Sequence, residues 1–308
     1  GLLRRQRQMC IRDRDTTGTF ETAITLQKHK MLTAIHKFYS IKDWEKNVEK
    51  LDPNFISVTV GQSKEDLQLG QKIFSLNSDI KYLCIDVANG YREDFINSVK
   101  NYRETFPDKI IIAGNVATRE MTEALILAGA DIVKIGIGPG SVCTTRSVAG
   151  VGYPQLSSIS ECSDAAHGLG GHVMADGGCK YPGDVSKAFG AGADYVMLGG
   201  MFAGHKESGG ELVTDEEGVQ YKDFYGMSST KAQQTYYGDL AEHRAPEGKK
   251  VRLRYKGELD KTVQSILGGM RSACSYVGAK KLKDLPKSTT FIRVTQTTNE
   301  IFTGSENI

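Results

Sequence analysis

The sequence predicts an α/β fold, a (β/α)8 TIM barrel, and three observations carry that prediction. Short apolar segments alternate with stretches of helical period from residue 15 onward, which implies parallel βαβ units. The chain has 308 residues, enough for one barrel of this kind. Three successive apolar segments end in glycine-rich turns, at the end of the strands where such barrels carry their chemistry.

The elements follow in order. Thr19 to His29 reads as a helix with Phe20, Ala23, Ile24 and Leu26 as its apolar residues. Strands then recur at 32–35, 56–60, 83–87, 110–113, 132–135, 173–175 and 195–198. Helical stretches lie between them at 41–51, 64–76, 92–105, 119–128, 156–169 and 183–189. Seven strands are legible, whereas eight close this barrel. The first legible element is a helix, so a strand should precede it. Residues 1–14 are arginine-rich, without strand or helix period, and read as a foreign segment joined to a truncated gene. The expectation is therefore a single barrel domain over 15–308 whose first strand is missing. Gly204 to Lys256 is polar with little period and reads as active-site loops rather than a second domain. Residues 260–274 then read as a final helix with Val263, Ile266, Leu267 and Met270 on one face. The tail from Phe291, with Ile292 and Val294, reads as a short extended segment.

Composition narrows the function classes. A chain that is 39% hydrophobic and 25% charged is ordinary for a globular protein in water. A net charge of +2 argues against a nucleic-acid partner, whose surface would be far more basic. No apolar run approaches the ~18 residues of a membrane span, so no membrane partner is expected. Cys10, Cys84, Cys143, Cys162, Cys179 and Cys274 form no CxxC pair and show no zinc spacing. They point to a reducing, cytoplasmic setting with one thiol that matters.

That thiol is Cys143, in the loop Gly136-Ile137-Gly138-Pro139-Gly140-Ser141-Val142-Cys143-Thr144-Thr145-Arg146. The loop follows the apolar run Asp131-Ile132-Val133-Lys134-Ile135, a short buried strand. Its glycines let the backbone approach a ligand closely. A thiol among backbone N–H groups and hydroxyls, followed by an arginine, suits a nucleophile. Taken alone, a glycine-rich turn holding a buried cysteine would explain the loop equally well. Two further turns tip the balance: Met174-Ala175-Asp176-Gly177-Gly178 and Val196-Met197-Leu198-Gly199-Gly200. Phosphate sits on the loops after the last two strands of many such barrels. No GxGxxG follows a first strand, so a Rossmann site is not expected.

The cysteine loop, the Asp-Gly-Gly turn and the Leu-Gly-Gly turn, in this order, resemble the IMP dehydrogenase/GMP reductase family, from about Asp15 to Phe302. The resemblance implies addition of the Cys143 thiolate to purine C2, with Thr145 and Glu247 as a proton relay. It implies substrate contacts from Ser141, Asp176 (to ribose hydroxyls), Gly177, Gly178, Gly199, Gly200 and Tyr225. Gly226, Met227, Ser228, Arg244, Ala245, Pro246 and Gly248 complete that set. A reduced nicotinamide, NADPH, is implied at Lys37, Asp86, Val87, Ala88, Ile137, Gly138, Met227, His243 and Arg244. Ser272, Ala273, Cys274 and Ser275 would reach it from a neighbouring subunit of a homotetramer. Gly138, Gly140, Cys143 and Arg146 are the implied ligands of a monovalent cation, K+.

Within the family, three features favour the reductase branch, which turns GMP into IMP and ammonia. No extra domain interrupts the barrel between its second and third units. The stretch Lys231-Ala232-Gln233-Gln234-Thr235-Tyr236-Tyr237 lacks the arginine–tyrosine pair of the dehydrogenase flap. Asp86-Val87-Ala88-Asn89-Gly90, Gly152-Tyr153-Pro154-Gln155 and Arg244-Ala245-Pro246-Glu247-Gly248-Lys249 resemble the reductase versions, with Pro246 in place of the usual serine. A dehydrogenase and a non-catalytic purine-nucleotide-binding barrel remain the alternatives.

Overall fold

The computed structural model describes residues 8–11, 15–226 and 247–295. Eight parallel strands close a barrel in sequence order: β1 Gln8–Ile11, β2 Leu32–Ile35, β3 Ile56–Val60, β4 Tyr82–Asp86, β5 Ile110–Val116, β6 Ile132–Ile135, β7 His172–Asp176 and β8 Tyr195–Leu198. Helices follow the strands: α1 Phe20–Leu26, α2 Ile41–Asn47, α3 Lys64–Leu76, α4 Glu93–Thr105, α5 Arg119–Leu127, α6 Thr145–Val148, α7 Gln155–Gly168 and α8 Pro182–Gly190. A long helix, α9 Leu259–Tyr276, packs on α8 and α1 through Leu259, Val263, Ile266 and Met270. Helix starts carry their own signals. Ser40 and Ser63 cap α2 and α3 in capping boxes with Asp43 and Asp66. The seven strands expected from periodicity are all present. Among the described residues, no helix is long and apolar enough to cross a membrane.

The expectation of a missing first strand is corrected. Gln8–Ile11 fills the slot, pairing with β2 at Cys10↔Leu32 and with β8 at Gln8↔Tyr195. The physical reason is length: four residues complete the ladder, and none of these four is an arginine. Met9 packs with the helices and Cys10 with the barrel interior, so the strand keeps the period of two.

The same alternation sorts every other strand. Inside the barrel, Leu32, Ala34, Tyr82, Cys84, Ile112, Ile132, Met174, Tyr195 and Met197 fill an apolar plug. Outside, Val58, Leu83, Ile111, Val133, Val173 and Val196 face the helices. At about 1.5–3 kcal/mol per fully buried large side chain, these two layers supply the main drive for closure. One step further along the inward period come Asp86 on β4, Lys134 on β6 and Asp176 on β7, at the C-terminal mouth. Lys134 has no exposed surface. Gly114 on β5 makes room for it, since a Cβ there would stand 2.3 Å from the Lys134 carbonyl oxygen.

The polar stretch read as loops contains a second sheet. Strands β9 Leu212–Thr214, β10 Gln220–Tyr225 and β11 Lys250–Arg254 run antiparallel with β10 in the centre. Phe224 on β10, with Val251 and Leu253 on β11, packs against Val142 and Ala203. The sheet is thereby seated on the cysteine loop. In the tail, Phe291, Ile292 and Val294 are exposed and form no strand among the described residues.

Candidate active site

Loops from the C-terminal ends of β6, β7 and β8 converge on one cavity. Its lining includes Gly140, Ser141, Gly177, Gly178, Gly199 and Gly200 from the three glycine-rich turns. Val142, Cys179, Met197, Leu198 and Phe224 complete it. Gly200 lets the turn approach the Ser141 hydroxyl, which a Cβ there would meet at 2.7 Å. Glycine turns of this kind can leave backbone N–H groups uncovered, the donors that a small anion takes.

Beside the cavity lies Cys143, half-buried. Its backbone forms an antiparallel bridge with Gly248. The Thr144 N–H donates to the Glu247 carbonyl at 3.0 Å, and the Lys249 N–H donates to the Val142 carbonyl at 3.0 Å. The small sheet therefore extends one step onto the cysteine loop and delivers Glu247 to it. The Thr145 hydroxyl donates to Glu247 Oε2 at 2.6 Å, and Cys143 Sγ lies 3.2 Å from the same hydroxyl oxygen. Because that hydroxyl spends its single proton on the carboxylate, the thiol is the donor in the second bond. The three residues thus form a directed path, thiol to hydroxyl to carboxylate. Burial pushes the nearby Cys179 thiol up to about 12, so it stays protonated at neutral pH.

Deeper in the mouth, the Asp176 carboxylate is fully buried and accepts from Asn115 Nδ2 at 2.8 Å. Asn115 Nδ2 also donates to the Gly136 carbonyl at 2.9 Å, tying Asp176 to the start of the cysteine loop. Gln155 Nε2 donates to the Ile135 carbonyl at 3.1 Å and the Asp176 carbonyl at 3.3 Å. Lys134 pairs with Asp86 and lies 4.0 Å from Asp176 Oδ2, so one buried cation stands between two expected site carboxylates.

The remaining expected residues sort as follows. Val87 is half-buried and holds β5 through its N–H to the Gly114 carbonyl at 2.9 Å, while Ala88 is exposed beside it. Lys37 follows β2 at the same mouth, half-buried, its ammonium 5.9 Å from the Phe38 ring centre. Ile137 and Gly138 are half-buried. Tyr225 is buried and its hydroxyl bonds to the Asp15 carboxylate. Gly226 donates its N–H to the Lys249 carbonyl at 3.3 Å. On α9, Ser272 and Ser275 are exposed, and Ala273 and Cys274 are half-buried. Met227, Ser228, His243, Arg244, Ala245 and Pro246 lie outside the described residues, as does the stretch 231–237.

Gly138, Gly140 and Cys143 offer backbone carbonyls, hard oxygen donors of the kind a monovalent ion takes. The Gly140 carbonyl already accepts the Cys143 N–H at 3.0 Å and keeps a second lone pair. The Arg146 side chain lies along Gly138 and donates to the Tyr153 carbonyl at 2.7 Å, so it acts here as a brace for the loop. Backbone carbonyls are donors that such an ion takes, and Arg146 could contribute only its own carbonyl, since its guanidinium is a cation with no acceptor.

Asn115 and Lys134 were missed as site residues. Both carried a signal: a lysine within an apolar strand, and an amide at the C-terminal end of a barrel strand.

Residues 11–301 match the family described as the IMP dehydrogenase / GMP reductase domain. A GMP reductase of Caenorhabditis elegans is 55% identical over 295 residues, 95% of this chain and 82% of that protein. GMP reductase 2 of Mus musculus is 56% identical over 295 residues, 95% of this chain and 84% of that protein. A GMP reductase of Buchnera aphidicola is 57% identical over 291 residues, 94% of this chain and 83% of that protein.

Proposed function

The chain belongs to the IMP dehydrogenase/GMP reductase family, and within it we propose that it catalyses NADPH-dependent reductive deamination of GMP to IMP and ammonia. The observation that carries this reading is the unbroken path from Cys143 Sγ through Thr145 Oγ1 to Glu247 Oε2, at 3.2 and 2.6 Å.

The phosphate of GMP would sit in the cavity of Ser141, Gly178, Gly199 and Gly200. Asp176 would take the ribose hydroxyls, its orientation fixed by Asn115. This placement sets purine C2 beside Cys143. The thiol gives its proton toward Thr145 and Glu247, and an Sγ–C2 bond forms. The same relay returns protons to the amino group, so the C2–N2 bond breaks with loss of ammonia. Asp86, Val87 and Lys37 would hold a reduced nicotinamide, whose chemistry would be to supply a hydride to C2. Breaking the Sγ–C2 bond then releases IMP and leaves the Cys143 thiolate, which takes up a proton to restore the starting thiol. Carbonyls of Gly138, Gly140 and Cys143 would hold a monovalent cation that keeps the loop in shape. The exposed Ser272 and Ser275 on α9 suit contact with a cofactor bound in a neighbouring copy, so a homo-oligomer, a tetramer by resemblance, is part of the proposal.

The test is near-ultraviolet absorbance of the reduced nicotinamide. GMP-dependent loss of NADPH is expected, with IMP and ammonia in equal yield. Gain of absorbance with IMP and NAD+ would make the chain a dehydrogenase. Tight GMP binding without turnover would make it a nucleotide-binding barrel.

A further inference from the structure

We propose that His167, His172 and Asp194 form a binding site for a divalent transition-metal cation, zinc by coordination chemistry, at the foot of the barrel opposite the active site. His167 lies in the last turn of α7, His172 opens β7, and Asp194 immediately precedes β8. Their ligand atoms all lie within 4.8 Å of one another. Asp194 Oδ2 stands 2.8 Å from His167 Nε2 and 3.5 Å from His172 Nδ1. Two imidazoles and one carboxylate are a donor set that zinc takes, with bonds of about 2.0–2.2 Å and water in the fourth position. Tetrahedral ligands at those bond lengths are roughly 3.3 Å apart, so the closest pair must open slightly and the others close. The exposed ring of His167, with 40% of its side-chain surface free, can make that adjustment.

The other two ligands are already fixed. Val173 donates its N–H to Asp194 Oδ2 at 3.1 Å, which orients the carboxylate. Asp194 donates its own N–H to the Val173 carbonyl at 3.0 Å and accepts the Gln8 N–H at 3.1 Å. His172 donates its N–H to the Asp131 carbonyl at 2.9 Å. The barrel ladder thus holds two of the three ligands, and a backbone N–H supplies the orienting bond that metal ligands commonly receive. A bound ion would tie the end of α7 to the starts of β7 and β8, and so to the short strand β1. No catalytic role follows, since the site lies at the opposite end of the strands.

The test uses the full chain, stripped with chelator and titrated with Zn2+ by calorimetry and with Co2+ by visible absorption. The parent should bind one more equivalent of Zn2+ than a His167→Ala/His172→Ala double variant and melt higher when loaded. Its Co2+ spectrum should show ligand-field bands beyond any thiolate charge-transfer band from Cys143. Should the double variant fold poorly, His167→Gln serves, because that ring is exposed; its affinity should fall at least about tenfold. Equal stoichiometry and equal melting shift in parent and variants, or a Co2+ spectrum with thiolate bands alone, would overturn the site and leave an ordinary ion pair.

Discussion

Thr145→Val cuts the proton path at its middle without disturbing its ends. Valine keeps the shape of threonine and loses only the hydroxyl that bonds Glu247 at 2.6 Å and meets Cys143 Sγ at 3.2 Å. Thr145 shares the cysteine loop with Gly140 and Ser141 but does not itself line the phosphate cavity, so the KM for GMP should stay within about threefold of the parent. A positioned acid–base group contributes about 10²–10⁴ to a rate. At 1.36 kcal/mol per decade, kcat should fall by that factor, a barrier increase of about 2.7–5.4 kcal/mol. Stopped-flow absorbance should show the loss in the deamination phase, before hydride transfer. Thr145→Ser restores a hydroxyl and should recover most of kcat. Combining Thr145→Val with Glu247→Gln should cost little more than the worse single change, because residues acting as one unit are not additive. A Thr145→Val enzyme that retains kcat within about threefold, or a double variant that multiplies both losses, would refute the relay.

Four other outcomes are expected. Cys143→Ala should bind GMP in calorimetry yet show no turnover; retention of most of kcat would end the covalent mechanism. Gly200→Ala places a Cβ 2.7 Å from the Ser141 hydroxyl, so the KM for GMP should rise about tenfold, near 1.4 kcal/mol, with kcat little changed. Lys134→Met strips the cation from between Asp86 and Asp176 and should cost about 3–5 kcal/mol in urea unfolding; a loss below about 1 kcal/mol would show that the pair is not buried as described. Cys10 has no exposed surface and should resist thiol labelling, read by mass spectrometry, until the protein unfolds, whereas Cys143 labels in the native state. Fast labelling of Cys10 would mean that β1 does not occupy the barrel.

The sequence was most legible where one periodicity ran unopposed. Apart from their charged mouth positions and β3, whose inner residues are Ser57 and Thr59, strands β2 to β8 are largely apolar on both faces, because inner side chains fill the plug and outer ones meet helices; a continuous apolar run marks such a strand. β1 was illegible because four residues show too little period, and the arginines flanking Gln8–Ile11 dominated the composition. The small sheet was obscured differently. On β10 the inward Lys222 is buried by donating its ammonium to the carbonyls of Lys206 at 3.2 Å and Ser208 at 2.5 Å. A charged residue on the core face breaks the alternation that would have announced a strand. At the site, Cys143, Asp176 and the glycine turns were readable because each stands beside a strand end. The approach of Glu247 to Thr145, 102 residues away, was supplied by resemblance alone, since only the β10–β11 pairing brings them together.

The charged layer at the barrel mouth has a cost that the fold itself does not require. Below it the inner positions Tyr82, Ile112, Ile132, Met174 and Met197 are apolar, and continuing that pattern would close the plug without ions. Replacing buried ion pairs by apolar side chains is often neutral or stabilising, so stability does not explain Asp86, Lys134 and Asp176. Their position does. Asp86 retains 23% of its side-chain surface, while Asp176 is buried and braced by Asn115 against the cysteine loop. On the proposed reading, one carboxylate serves the nicotinamide side and the other the ribose side. Lys134 between them ties both to a single rigid strand, β6, whose own C-terminal loop carries Cys143. Hydride transfer to C2 needs the two ligands in fixed register, and a misplacement of about 1 Å can cost about 10²-fold in rate. A buried lysine locked on the barrel ladder holds that register better than surface loops, which is a reason for the mouth to carry its ionic layer.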